Sequence, residues 1–241
     1  MKQVFFEITK NIALTKDVFK MVLKGDVSNI KAGQFVNIKL DGNFLRRPIS
    51  VCDVNEDSLT IIYKVVGKGT EIMSKMQNGK LDLLTGLGNG YDLTRSGDAP
   101  LLVGGGVGVP PLYLLAKELI KKDKKVTVIL GFNTKEEIFY QKEFEKLGAK
   151  VLITTVDGSY GIKGFVTDAL EGLSCSYFYA CGPEPMLKAL SKATVINGEL
   201  SFEERMGCGF GACMGCSCKT LTGNKRICKE GPVMKKEEII W

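Results

Sequence analysis

Histidine is absent from all 241 residues. That excludes a Ser-His-Asp or Cys-His nucleophile system within the chain, a zinc site with imidazole ligands, and a Rieske centre. Long apolar runs are also missing. The longest, Leu101 to Ala116, is interrupted by four glycines and two prolines and falls short of the roughly 18 residues a spanning helix needs. The N-terminus, MKQVFFEITKN, carries no apolar stretch followed by a small-residue cleavage site, so a cytoplasmic location is expected. Disulfides are rare in that compartment, and clustered cysteines then read first as metal ligands or redox groups. Charge is modest, 33 − 27 = +6. The densest basic run, Lys121-Lys122-Asp123-Lys124-Lys125, follows an apolar helical stretch without interleaved aromatics. It reads as a solvated helix end, not as a nucleic-acid surface.

The chain changes rhythm twice. Over residues 1–94, short β-type runs (VFFEI, FKMVL, QFVNIKL, LTIIYKVV, KLDLL) alternate with turn signals, which predicts a small antiparallel barrel. A stretch dense in Gly, Asp and Ser, GLGNGYDLTRSGDAP, marks a boundary. Over 95–200, compact apolar runs (PLLVGGG, KVTVILGF, AKVLITTV, YFYACG) alternate with helical patterns (PPLYLLAKELIKK, TKEEIFYQKEFEKLG, PEPMLKALSKA). This predicts a doubly wound parallel sheet with crossover helices. Residues 201–241 hold five of the eight cysteines and are too short for a core of their own, so they need a staple. The fold class is therefore mixed β and α/β, with a small third unit.

The sharpest signal lies in that third unit. Cys208, Cys213 and Cys216 give C-x4-C-x2-C, with Cys228 after a further eleven residues. This is the spacing of plant-type [2Fe–2S] clusters. Gly207, Gly209, Gly211 and Gly215 would let the loop bend and its N–H groups approach sulfur. A structural zinc knot is the alternative, although only Cys213/Cys216 form the C-x2-C pair such sites favour. Cys218 could replace Cys216 but breaks the spacing. Cys52, Cys175 and Cys181 are isolated and read as small hydrophobes.

Three further segments suggest nucleotide chemistry. In Leu45–Val51, Arg46 and Arg47 precede Pro48-Ile49-Ser50; guanidinium groups suit phosphate, and a strand-borne Ser can reach a ring nitrogen. Gly67-Lys68-Gly69-Thr70 would place a helix N-terminus, with Thr70 as its cap, ready for a diphosphate. In LLVGGGVGVPP, an apolar strand runs into Gly104, Gly106 and Gly108, and Gly106–Pro111 is a G-x-G-x-x-P relative of the dinucleotide fingerprint. The acidic residue expected after the second strand is missing, since Phe132-Asn133-Thr134 follow Gly131. The lack of a nearby Arg leans toward NAD over NADP without deciding it. Finally, Cys181-Gly182-Pro183 ends a strand and opens a helix, which would bring Cys181 and Gly182 close to a nicotinamide.

The order of barrel, nucleotide sheet and cysteine-rich tail, with the motifs RRPIS, GLGNGY, CGPEPM and FEERMGCGFGACMGC…CKEGPV, resembles the ferredoxin–NADP reductase superfamily. Within it the chain is similar to the electron transfer subunits of dihydroorotate dehydrogenase B from about Phe5 to Pro232. The resemblance implies an FAD-binding barrel over 1–94, an NAD-binding domain over 95–200 and a [2Fe–2S] domain over 201–241. It puts Arg47, Pro48, Ile49 and Ser50 on the FAD, adds Ile62, Tyr63 and Lys64, and sets Gly69 and Thr70 at the diphosphate. Cys208, Cys213, Cys216 and Cys228 match the cluster ligands. Two features depart from the pattern: Thr85-Gly86-Leu87 where the family tends to have Gly-Pro-Leu, and the extra thiol Cys218.

A nicotinamide exchanges two electrons as hydride, while a [2Fe–2S] cluster takes one at a time, so a flavin is the converter between them. The resemblance implies that a partner subunit oxidises dihydroorotate at its own FMN in pyrimidine (UMP) biosynthesis. Electrons then pass through the cluster and FAD to NAD⁺, in a heterotetramer of two subunits of each kind. Two rivals stand beside this reading. One is a related FAD and iron–sulfur subunit serving a hydrogenase, sulfide dehydrogenase or ferredoxin-dependent transhydrogenase. The other is a zinc-stabilised nucleotide-binding regulator without redox turnover.

Overall fold

The computed structural model describes residues 1–241. The first six strands are β1 (Lys2–Ala13), β2 (Val18–Lys24), β3 (Phe35–Ile38), β4 (Arg47–Val54), β5 (Ser58–Lys64) and β6 (Lys80–Leu87). They close an antiparallel barrel in the order β1-β2-β5-β4-β3-β6. Alternation drives closure. In β6, Leu81, Leu83, Thr85 and Leu87 are buried while their neighbours are not, so one face fills the barrel. A short helix, α1 (Lys68–Lys75), bridges β5 and β6.

The second unit is a seven-stranded sheet. It is built from β7 (Leu101–Gly105), β8 (Thr127–Phe132), β9 (Lys150–Thr155), β10 (Ile162–Lys163), β11 (Phe178–Cys181), β12 (Gly198–Ser201) and, from the tail, β15 (Val233–Lys235). The order is β10-β9-β8-β7-β11-β12-β15, parallel throughout except for β15. Residues 233–235, which follow the cysteine-rich stretch, thus close the sheet's edge. Helices α2 (Pro110–Ile120), α3 (Gln141–Leu147) and α4 (Glu184–Ala193) cover it. Prolines 110 and 111 occupy the first turn of α2, where no N–H is needed. The helix expected over 134–148 is broken. Tyr140 takes a left-handed backbone (φ 66°), so only Gln141–Leu147 is helical. In that conformation the Tyr140 ring packs edge-on against Tyr113 at 5.1 Å.

Both sheet faces are apolar. Leu102, Val128, Leu130 and Tyr179 point toward α2 and α3, whereas Leu101, Val103, Ile129 and Phe178 point toward α4. The α2 side is continuous with the barrel interior, so one hydrophobic core spans both units. A polar clamp reinforces the seam. Lys117 Nζ donates to Asp53 Oδ1 (2.7 Å), Asn55 Oδ1 (2.9 Å) and the Val54 carbonyl (3.1 Å). The remaining tail forms a hairpin, β13 (Ser217–Thr220) with β14 (Gly223–Arg226). No helix is long and apolar enough to cross a membrane.

Candidate functional site

Strand β4 carries the first group of candidates. The two arginines at its start have different tasks. Arg46 is tied to the barrel: its guanidinium donates to Asp82 Oδ1 (3.1 Å) and Oδ2 (3.0 Å) and to the Asn37 and Asp82 carbonyls. Arg47 has no carboxylate partner. It donates to Asn43 Oδ1 (2.7 Å) and to the Leu45 carbonyl. Its charge lies over Gly69, where a Cβ would stand 2.1 Å from Arg47 Nε. Thr70 is not the cap of α1, as the sequence suggested. Gly67 caps it, and Thr70 Oγ1 reaches back to accept the Val66 N–H (2.9 Å) and the Gly67 N–H (3.3 Å). The first intrahelical donor is the Glu71 N–H, onto the Gly67 carbonyl. The N–H groups of residues 68–70 are left without intrahelical acceptors beside a guanidinium that has no carboxylate partner, a fit for a diphosphate.

Val51 pairs with Ile61, which brings Ile49–Ser50 next to Ile62–Tyr63. Ile62 is buried. The Tyr63 side chain turns into the barrel, where its hydroxyl donates to Asn11 Oδ1 (3.1 Å) and its ring stacks on Phe19. Only the Tyr63 peptide is left for a ligand. Lys64 pairs with Asp17 at 3.0 Å.

The second group lies at the carboxyl ends of β7 and β11, neighbours at the point where the strand order reverses. Their two turns touch. A Cβ on Gly108 would stand 2.2 Å from the Cys181 carbonyl oxygen, and one on Gly105 2.5 Å from Met186 Sδ. Gly104 packs against Val109 and Leu112, whereas Gly106 faces open space. Between these turns and β8–β9 lies a cleft of about 430 Å³, lined by Gly105, Gly106, Asn133, Glu137, Thr154, Pro183 and others. Thr154 Oγ1 is buried there without a partner, an acceptor or donor awaiting a polar ligand. The acid missing after β8 returns five residues later. Glu137 accepts hydrogen bonds from the Asn133 N–H (3.2 Å) and side-chain amide (2.9 Å) and lines the cleft. No local spacing rule could have found it, because a 3-10 turn at Lys135–Glu137 folds it back. Burial pushes the Cys181 thiol up to about 12, so it is neutral at pH 7.

The third group is the cysteine loop. The cysteines fall into two neighbouring sets: the Cys213 N–H donates to Cys208 Sγ and the Cys228 N–H to Cys216 Sγ, each at 3.4 Å. No three acidic or thiol side chains gather as a site for a single ion. Four thiols on one glycine-rich loop are the donors a thiolate-held iron–sulfur cluster takes. Burial opposes ionisation of Cys208, yet N–H groups of Cys213, Phe210 and Ala212 draw its thiol down to about 6. Burial and the adjacent Cys216 push Cys228 up to about 12. A bound cation would relieve that pair. Cys216 is buried beside Cys228, whose N–H points at its sulfur (3.4 Å), while Cys218 sits in β13 opposite Lys225. Of the four loop glycines, Gly209 and Gly211 have positive φ. Gly207 and Gly215 instead leave room for Cys213 Sγ, 3.3 and 3.5 Å from where a Cβ would sit. Arg226 braces the loop through the Gly211 carbonyl (2.6 Å) and the Glu230 carboxylate.

Comparison with known proteins fits this geometry. Residues 203–240 match the model of the iron-sulfur cluster binding domain of dihydroorotate dehydrogenase B, and residues 102–192 match an oxidoreductase NAD-binding domain. A dihydroorotate dehydrogenase B (NAD(+)) electron transfer subunit from Fusobacterium nucleatum is 45% identical, covering 96% of each chain. One from a Geobacillus species is 45% identical over 100% of this chain and 99% of its own. The chain belongs to the family of dihydroorotate dehydrogenase B electron transfer subunits. It is an oxidoreductase subunit. The solved structure of an NADH-dependent reduced ferredoxin-NADP oxidoreductase, described for flavin-based electron bifurcation, superposes with a TM-score of 0.89 at 32% identity. It covers 98% of this chain and 90% of that one. A ferredoxin NADP+ reductase from Neisseria gonorrhoeae shares the fold, with a TM-score of 0.70 at 19% identity.

Proposed function

We propose that this chain carries electrons between a catalytic partner and NAD⁺, with FAD on the barrel, NAD on the sheet and a [2Fe–2S] cluster in the tail. The division is the one read from the sequence: 1–94, 95–200 and 201–241. The observation that carries the reading is the loop seated on the barrel, in which backbone N–H groups of Ala212 and Cys213 point at the Cys208 sulfur and that of Cys228 points at the Cys216 sulfur. When bound, the cofactors supply the conversion between one-electron steps and a hydride.

The protein's residues place those groups. Arg47 and the N–H groups around Gly69 and Thr70 bind the FAD diphosphate. Pro48, Ile49 and Ser50 lie along the flavin, with Ile62 and the peptides of Tyr63 and Lys64 beside them. Gly104, Gly106 and Gly108 take the dinucleotide, and Cys181, Gly182 and Pro183 border the nicotinamide. Glu137 accepts a ribose hydroxyl at the cleft rim and repels a 2′-phosphate, which favours NAD over NADP. Each thiol pair holds one iron, with Cys216 as the third ligand and Cys218 outside the set.

The partner in this reading is an FMN-containing dihydroorotate dehydrogenase subunit, assembled two plus two, that oxidises dihydroorotate to orotate in the cytoplasm. Cys213, Phe210 and Met214 are exposed on the same loop, a face such a partner would cover. The test uses the purified chain alone. It should oxidise NADH with an artificial acceptor and leave dihydroorotate untouched. Turnover of dihydroorotate by this chain unaided overturns the assignment.

A further inference from the structure

Asn37 lies in the middle of β3, where its register partners are Pro48 on β4 and Leu84 on β6. It is 1% exposed, an unusual burial for an amide. Its Nδ2 donates to the carbonyl oxygen of Cys208 at 3.1 Å, across 171 residues of chain. The Oδ1 of the same amide is buried without a partner. Its backbone carbonyl takes a bond from Arg46, at 3.2 Å. The loop comes in close because residue 209 is a glycine. A Cβ there would stand 2.3 Å from Asn37 Nδ2, and the φ of +77° suits glycine alone. One buried amide therefore touches the backbone of a thiol-bearing residue while its own backbone pairs with the strand of Pro48.

We propose that Asn37 is a positioning residue that sets the gap between the cluster and the flavin. The inference rests on the reading above, in which Cys208 is an iron ligand and Pro48–Ser50 lie along FAD. A buried hydrogen bond fixes the loop where an apolar contact would let it slide, and leaving the Cys208 carbonyl unpaired costs about 1–3 kcal/mol. Asn37 touches neither reacting group. Its effect is on the transfer step that crosses the gap and not on the hydride step between nicotinamide and flavin.

The experiment measures both steps in the full-length chain loaded with FAD and cluster. Stopped-flow absorbance follows bleaching of the flavin by NADH and then reduction of the cluster. Freeze-quench EPR and hydrogen exchange of residues 207–213 accompany it. Asn37→Asp keeps shape but replaces the donor with an acceptor facing a carbonyl. We expect iron, sulfide and FAD content to hold, flavin bleaching to stay within about twofold, and cluster reduction to slow about tenfold or more, a loss of about 1.4 kcal/mol. Exchange at 207–213 should rise. Gly209→Ala, which pushes the loop outward, should give the same split. It decides the matter by the same two rates if Asn37→Asp fails to assemble a cluster. Equal slowing of both steps, or unchanged cluster reduction with the cluster intact, overturns the proposal. A wild-type chain without FAD or acid-labile sulfide overturns the underlying reading instead, and shows itself before any variant is made.

Discussion

The Arg47 guanidinium rests on the bare Cα of Gly69, so close that a single methyl there would meet Nε at 2.1 Å. Strand β4 and helix α1 are thereby fitted to each other around one uncompensated positive charge. Gly69→Ala must displace that charge while leaving the barrel core untouched. We expect FAD affinity to fall about tenfold or more with little change in the melting temperature of the apoprotein, as read by flavin fluorescence titration. Arg46→Met should behave oppositely, because it takes the guanidinium from the largely buried Asp82 carboxylate and leaves it only the Gln3 amide. It should cost about 2 kcal/mol of stability and leave FAD binding nearly intact.

The two adjacent arginines also show how far the sequence could be read. RRPIS announces a phosphate site, but nothing in the string says which guanidinium is spent on Asp82, a residue 36 positions away. The barrel, the sheet and the thiol spacing were legible because each is a local pattern: period two, strand–helix alternation, C-x4-C-x2-C. What escaped was long-range. Asn37 is an ordinary polar residue inside a β-run until the loop carrying Cys208 arrives beside it. Glu137 returns to the cleft only because a 3-10 turn replaces the expected helix. Thr70 reads as a cap by residue type, yet Gly67, three residues earlier, takes that place.

The thiol pairs give a sharp expectation. Cys216→Ser should abolish the EPR signal of the reduced cluster, because it removes the buried partner of Cys228. Cys218→Ser should keep it. The reverse pattern would show that the cluster is held by Cys218.

At the cleft rim, Glu137→Gln removes a negative charge while keeping an acceptor for Asn133. We expect affinity for NADH to fall by about threefold and discrimination against NADPH to shrink by about tenfold, measured by titration of both nucleotides. Unchanged discrimination would place the selection elsewhere.

Glu199 makes stability depend on pH. It is buried in β12, accepts the Asp92 N–H at 3.0 Å, and burial pushes its carboxyl up to about 7 from an ordinary 4.5. Between those values the folded chain holds a proton that the unfolded chain has released. Stability is therefore highest below about 4.5 as far as this group is concerned, falls as pH rises to about 7, and then levels. The whole change is about 3 kcal/mol. Glu199→Gln should flatten this part of the profile and gain stability at pH 8, as followed by chemical denaturation across the range.

The central claim is that the tail holds a dinuclear iron–sulfur cluster in the same chain as a flavin. Anaerobic purification followed by chemical analysis tests it most directly. The expected result is about two irons, two acid-labile sulfides and one FAD per chain, with a yellow-brown absorption spectrum. A colourless protein containing zinc and no sulfide would contradict it.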